Sequence, residues 1–160
     1  MRGSAKVIER LNMALKSELT AIVQYMVQTE TCGNWGYERL SAILKRRAIE
    51  EMHHAEHLIE RIVYLDSVPQ TSVPLTPKPG SNVQEYLQAD FEDEKEAIVD
   101  YNASIQICRE EGDNGSRELF VSLLRDEEAH ADFLEAQLNS IEQMGIQNYL
   151  AQQVKREGQS

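Results

Sequence analysis

The chain has 160 residues, 41% of them hydrophobic and 27% charged, with a formal net charge of −11. That length suits one domain with a sizeable core, and no apolar run approaches the ~18 residues of a membrane helix. The acidity disfavours nucleic acid as a main partner and suits cations, while Pro plus Gly of only 12 (4 + 8) argues against a turn-rich β sandwich or barrel.

Helix formers dominate. Apolar residues recur at helical spacing in Val7, Ile8, Leu11, Leu15, Leu19, Ile22, Val23 and Met26, which predicts a first helix over 4–32, closed by Gly33. A second helix is expected over 36–66. Residues 67–82 hold all four prolines of the chain, so this segment is a crossover rather than a helix. A third helix is expected over 83–111, ending at Gly112. A fourth is expected over 116–144, ending at Gly145, and a short fifth over 146–156. A helix of about 28 residues is about 42 Å long. Sixteen extended residues span up to about 55 Å, so the crossover can run the length of a bundle and make the second and third helices parallel. The connections between the first and second helices and between the third and fourth are too short for that and predict tight antiparallel turns. The fold class is all-α: a four-helix bundle with one long crossover and a short C-terminal helix, in one domain over 1–160.

The two hairpins repeat each other. Glu18-Leu-Thr-Ala-Ile-Val-Gln-Tyr25 matches Glu94-Lys-Glu-Ala-Ile-Val-Asp-Tyr101 at five of eight positions, at an offset of 76 (94 − 18). The same offset relates Glu51-x-x-His54-Ala55 to Glu127-x-x-His130-Ala131, Leu58 to Leu134, and Cys32 to Cys108. The repeat keeps polar residues that a plain amphipathic pattern does not require.

Those polar residues carry the chemistry. Glu51 and His54 are three apart and share a helix face, as do Glu127 and His130. Glu18 and Glu94 sit within apolar stripes, where a charged carboxylate is costly unless paired or bound to metal. Two divalent ions balance four carboxylates, and carboxylate with imidazole suits iron or manganese. Two Glu residues plus two Glu-x-x-His motifs form the known ligand pattern of dinuclear carboxylate bundles. Six metal ligands are therefore expected: Glu18, Glu51, His54, Glu94, Glu127 and His130. Tyr25, one heptad after Glu18, and its repeat mate Tyr101 read either as hydrogen-bond donors to ligand carboxylates or as core aromatics. Met52 lies about 100° around the helix from Glu51 and so faces out of the bundle. With Leu19, Val23 and Met26 forming a second apolar stripe, a subunit interface is expected there. A methionine at an interface reads first as packing.

The sequence resembles bacterioferritin over nearly its whole length. The resemblance rests on Lys6-Val-Ile, Asn34-Trp35-Gly36, Glu51-Met52-x-His54-Ala55, Asp126-Glu127-Glu128-x-His130 and Met144-Gly-Ile-Gln-Asn-Tyr-Leu150. It implies a ferritin-like fold and a cytoplasmic ferroxidase. That enzyme oxidises Fe(II) with O₂ or hydrogen peroxide at an intrasubunit di-iron centre. The resemblance further implies storage of the mineral in a hollow homo-oligomeric shell of about two dozen subunits, and a ferredoxin for iron release. It gives the same six metal ligands, and b-type haem shared between two subunits with Met52 of each as axial ligand. The sequence departs from that pattern in places. Tyr101 stands where an aliphatic residue is common. Leu58 and Phe133 replace aromatic residues, which puts a radical relay there in doubt. Arg46 replaces a frequent His near Glu50, which weakens an inner-surface iron site if Arg46 faces the cavity. His53 reads as a solvated surface histidine, or as a competitor in haem ligation.

Two other functions compete with iron storage. The paired Tyr25 and Tyr101 resemble the symmetric site of a rubrerythrin-like di-iron peroxidase. Against it stand Ala97, where that family carries a further glutamate, and the cysteines. Cys32 and Cys108 form no CxxC pair, which excludes a rubredoxin-type or zinc-ribbon module. Two lone thiols with no evident signal peptide also predict the reducing cytoplasm. The third reading is a haem or interaction scaffold with an idle metal site.

Overall fold

The computed structural model describes residues 2–155. Five helices follow in chain order: α1 (Ala5–Asn34), α2 (Glu38–Tyr64), α3 (Val83–Glu110), α4 (Asn114–Met144) and α5 (Ile146–Gln153). The expected elements differ from these by no more than three residues at either end. The expected last residue of the fifth helix, Arg156, lies outside the described residues. No described helix is long and apolar enough to cross a membrane.

The helix ends follow from local chemistry. Asn82 caps α3 by accepting from the Glu85 amide at 2.9 Å, and Asp113 caps α4 by accepting from the Ser116 amide at 2.9 Å. α1 does not stop at Gly33. It runs one residue further, and the chain reverses at Gly36, whose φ of 87° a side chain would strain. Gly112, its mate at the offset of 76, has a φ of 71°. The turn bonds repeat as well: Tyr37 donates to Cys32 as Asp113 donates to Cys108, each at 2.9 Å. One loop geometry therefore closes both hairpins.

The crossover tracks the length of α1. The Gly3 amide donates to the Leu65 carbonyl near one end, Gln70 donates to Asn12, Lys78 donates to Gln24, and Gln28 donates to Pro79 near the other. It delivers the start of α3 to the C-terminal part of α1. α3 then runs back along α1, with contacts from Tyr25–Glu94 through Glu18–Tyr101 to Arg10–Ser104. α2 and α3 are thereby parallel, as the length of the crossover predicts.

Two apolar clusters fill the bundle. One holds Val7, Leu11, Leu58, Leu65 and Phe120; the other holds Val83, Leu87, Leu134, Ile141 and Leu44. Each of the five named residues of the first cluster lies 76 positions from one of the five named in the second. The bundle thus has a pseudo-two-fold axis, and Tyr101 and Tyr25 sit one in each cluster.

Candidate metal centre

Six side chains converge on that axis: Glu18 and Glu94 at 2% and 4% exposure, Glu51 at 1%, Glu127 at 2%, and His54 and His130 at 5% and 2%. α1 and α3 contribute one glutamate each, and α2 and α4 one Glu-x-x-His pair each. The ligand-type atoms form two overlapping groups. Glu18, Glu51, His54 and Glu127 make one; Glu51, Glu94, Glu127 and His130 make the other. Glu51 and Glu127 belong to both, and each reaches both histidines. Glu51 lies 3.7 Å from His54 Nδ1 and 3.0 Å from His130 Nδ1, while Glu127 lies 3.0 Å and 3.6 Å from them. These two carboxylates span the axis, and Glu18 and Glu94 terminate either side.

The inner atoms approach one another closely but make no hydrogen bond. Glu18 Oε2, Glu94 Oε2, Glu51 Oε1, Glu127 Oε1 and both histidine Nδ1 atoms are buried in this way. Leaving buried polar atoms unpaired is costly, and a cation is the group that satisfies all of them at once. The donor set fits two divalent ions of the iron or manganese type.

The outer nitrogen of each histidine is tied down. His54 Nε2 meets Asp126 Oδ2 at 2.9 Å, and His130 Nε2 meets Glu50 Oε2 at 2.7 Å. A ring that donates from Nε2 to a carboxylate presents Nδ1 inward as the ligand atom. Glu50 and Asp126 are themselves related by the offset of 76. Sequence reasoning missed this role for both, although each immediately precedes a ligand glutamate. The tyrosines obey the same symmetry. Tyr25 donates to Glu94 Oε1 at 3.1 Å, and Tyr101 donates to Glu18 Oε1 at 2.5 Å.

Electrostatics divide the four carboxylates into two kinds. Burial, reinforced by Glu51, pushes the Glu18 carboxyl well above its ordinary range; burial, reinforced by Glu127, does the same to Glu94. Burial also opposes ionisation of Glu51, but contacts with Glu18 and both histidines outweigh it and hold Glu51 below its ordinary range. Glu127 is lowered likewise: burial and the Glu51 charge are outweighed by Glu94 and both histidines. Burial disfavours the imidazolium, yet Glu127 and its neighbours raise His54 well above its usual value and His130 to about 12. Burial, then the adjacent carboxylate, raises both tyrosines, so both remain phenols that donate. These directions favour protons on Glu18, Glu94 and both rings, opposite ionised Glu51 and Glu127. Two divalent ions balance the charge of four ionised carboxylates.

The residues in question outside the cluster are also placed. Met52 faces outward at 42% exposure, and Met26 is 55% exposed. His53 is an exposed side chain 3.9 Å from Glu56. Leu58 is a fully buried core residue, and Phe133 packs beneath the Arg47 guanidinium, 5.6 Å from its ring centroid. Arg47 also pairs with Glu50 at 3.1 Å.

Residues 8–144 match the ferritin family, described as a ferritin-like domain. The chain is 46% identical over 151 residues to a bacterioferritin of Brucella melitensis, covering 93% of this chain and 92% of that protein. It is 40% identical over 149 residues to a bacterioferritin of Rhodobacter capsulatus, with 93% and 92% covered. It is 37% identical over 155 residues to a bacterial ferritin of Synechocystis, with 96% and 99% covered. With that identity sustained across the full bundle, helices and crossover alike, the chain belongs to the bacterioferritins of the ferritin-like family.

Proposed function

We propose that the protein is an iron-storage ferroxidase of the cytoplasm. Two Fe(II) ions are its substrate, bound by Glu18, Glu51, His54, Glu94, Glu127 and His130 and oxidised to Fe(III) by O₂ or hydrogen peroxide. The observation that carries this is the set of inward-facing, unpartnered carboxylate and imidazole atoms at the centre of the bundle. Glu51 and Glu127 bridge the two ions, because each already reaches both histidines. Glu18 and Glu94 each close one end. Asp126 and Glu50 hold the rings in place, and Tyr101 and Tyr25 orient the terminal carboxylates and lower their basicity. The oxidised iron accumulates in a shell of about 24 copies, and a ferredoxin supports its release.

The outward-facing thioether of Met52, together with Met52 of a second copy, would hold a b-type haem, which would supply one-electron transfer. Buried free thiols at Cys32 and Cys108 suit a reducing compartment. A peroxidase of rubrerythrin type is the second reading, favoured by the symmetric Tyr25 and Tyr101 contacts.

Size-exclusion chromatography with iron and haem quantitation tests the proposal. A large iron-loaded shell with haem supports it; a small oligomer that reduces peroxide quickly supports the second reading. Crystals soaked anaerobically in Fe(II) should show two metals about 3.5–4 Å apart, bridged by Glu51 and Glu127. One metal alone, or metals away from the six residues, overturns the site.

A further inference from the structure

The chain has four histidines, and the candidate metal centre accounts for two of them. The other two, His53 and His57, stand four residues apart on α2 with both side chains exposed. Residues at i and i+4 of a helix are neighbours on one face, with Cβ atoms about 5–6 Å apart, so two imidazoles at that spacing reach a single ion. His53 and His57 lie about 100° and 60° around the helix from His54, on its solvent side rather than toward the buried centre.

Two carboxylates flank the pair. Glu56 Oε2 is 3.9 Å from His53 Nδ1, with the histidine 57% and the glutamate 63% exposed. Glu60 is exposed and follows His57 by three residues. Positions 53, 56, 57 and 60 are i, i+3, i+4 and i+7, one continuous stripe of the helix surface. Stability does not account for it, since an exposed pair such as His53–Glu56 contributes only about 0–1 kcal/mol.

The internal repeat shows that the stripe is an addition to the bundle. At the offset of 76, the same four positions are Ala129, Asp132, Phe133 and Ala136. The six ligands, the two tyrosines and the acids that hold the histidine rings all obey the repeat, whereas this histidine pair does not. α4 forms without it, so neither the helix nor the dinuclear centre requires it.

We propose that His53 and His57 form a separate mononuclear site for a divalent ion of the zinc class, completed by Glu56 or Glu60 and by water. Two imidazoles, one carboxylate and one water make a tetrahedral zinc shell. The donor set differs from that of the buried centre, which offers four carboxylates and two imidazoles to two ions. A set richer in nitrogen suits Zn(II) or Cu(II), and both bind such ligands more tightly than Fe(II) does. The two glutamates offset the charge of the ion. α2 thus carries two kinds of metal site, one facing the core and one facing solvent. This inference does not depend on the iron-storage reading.

Equilibrium dialysis of the metal-free, full-length protein against Zn(II), with elemental analysis, tests it. Wild type should bind one more Zn(II) per subunit than His57→Asn. His53→Asn and the double variant should lose that same single ion, because one chelate needs both rings, and affinity for it should fall at least about tenfold in each. Both positions are exposed, so circular dichroism should show the fold intact. Wild-type crystals soaked in Zn(II) should show an anomalous peak between the two rings, absent in His57→Asn. Equal zinc content in wild type and His57→Asn overturns the site. So do losses in the single variants that add up in the double variant, which mark two rings binding independently, and so does a soaked wild-type crystal without the peak. Fe(II) soaks that leave the six-residue centre empty would instead sink the proposed function and leave this site standing.

Discussion

Glutamine substitution at the four buried glutamates should separate them into two classes in the metal-free protein. In chelator, Glu18 and Glu94 hold their protons, because burial and a neighbouring carboxylate raise both. A neutral glutamine of nearly the same shape then replaces a neutral acid. Glu18→Gln and Glu94→Gln should cost less than about 1 kcal/mol. Glu51 and Glu127 are the anions of the cluster, each facing two imidazoliums that are 5% and 2% exposed. Removing one anion strands a buried positive charge, a loss of about 3–5 kcal/mol. For a chain of this length 1 kcal/mol is worth about 2–4 °C, so Glu51→Gln and Glu127→Gln should melt some 6–20 °C lower. Circular dichroism melts in EDTA supply the measurement. With metal present the ranking collapses, since every glutamate is then an ionised ligand and each substitution weakens binding. Equal melting temperatures for Glu18→Gln and Glu51→Gln in EDTA would refute the proton assignment.

Metal-free stability should fall as pH rises from 6 to 8, by differential scanning calorimetry in chelator. His54 and His130 have raised values in the folded state, so their contribution is full below about 6.5 and is lost as pH rises towards about 12. The raised Glu18 and Glu94 act in the same direction, and each extra proton held by the fold is worth about 1.4 kcal/mol per pH unit. Saturating metal displaces those protons, so the slope should vanish or reverse; a metal-free protein more stable at pH 8 contradicts the charge scheme. Tyr101→Phe and Tyr25→Phe should each change Fe(II) oxidation traces in stopped flow while leaving assembly intact, and a Tyr101→Phe trace identical to wild type would end the symmetric-tyrosine idea. Met52→Leu should keep the packing volume and abolish the Soret absorbance; an unchanged Soret band per subunit would show that Met52 is not the haem ligand.

The bundle was legible because its signals are redundant. Helical periodicity marked each long helix, and the four clustered prolines marked the crossover. Gly112 and Gly145 marked ends where φ turns positive. Gly33 misled because a glycine at a helix end reads as a stop, whereas the positive φ falls three residues later, at Gly36. The six converging side chains were visible because a carboxylate in an apolar stripe demands a reason. Glu50 and Asp126 were not, because a half-exposed acid beside another acid on a helix looks like surface charge. Only the direction of the histidine rings reveals what they do.

The duplication also explains why two tyrosines face the centre rather than one. In a repeat related by a pseudo-two-fold, a residue that serves one terminal glutamate has a mate placed to serve the other. Tyr25 reaches Glu94 across the bundle, and Tyr101 reaches Glu18, so each hairpin supplies the phenol for the other hairpin's ligand. The histidines follow the same crossed scheme, with Asp126 of α4 holding His54 of α2 and Glu50 of α2 holding His130 of α4. Neither hairpin alone completes one half-site. Burial of the cluster between the two apolar cores therefore couples metal binding to the docking of the hairpins, and metal should stabilise their association more than either hairpin's own turn.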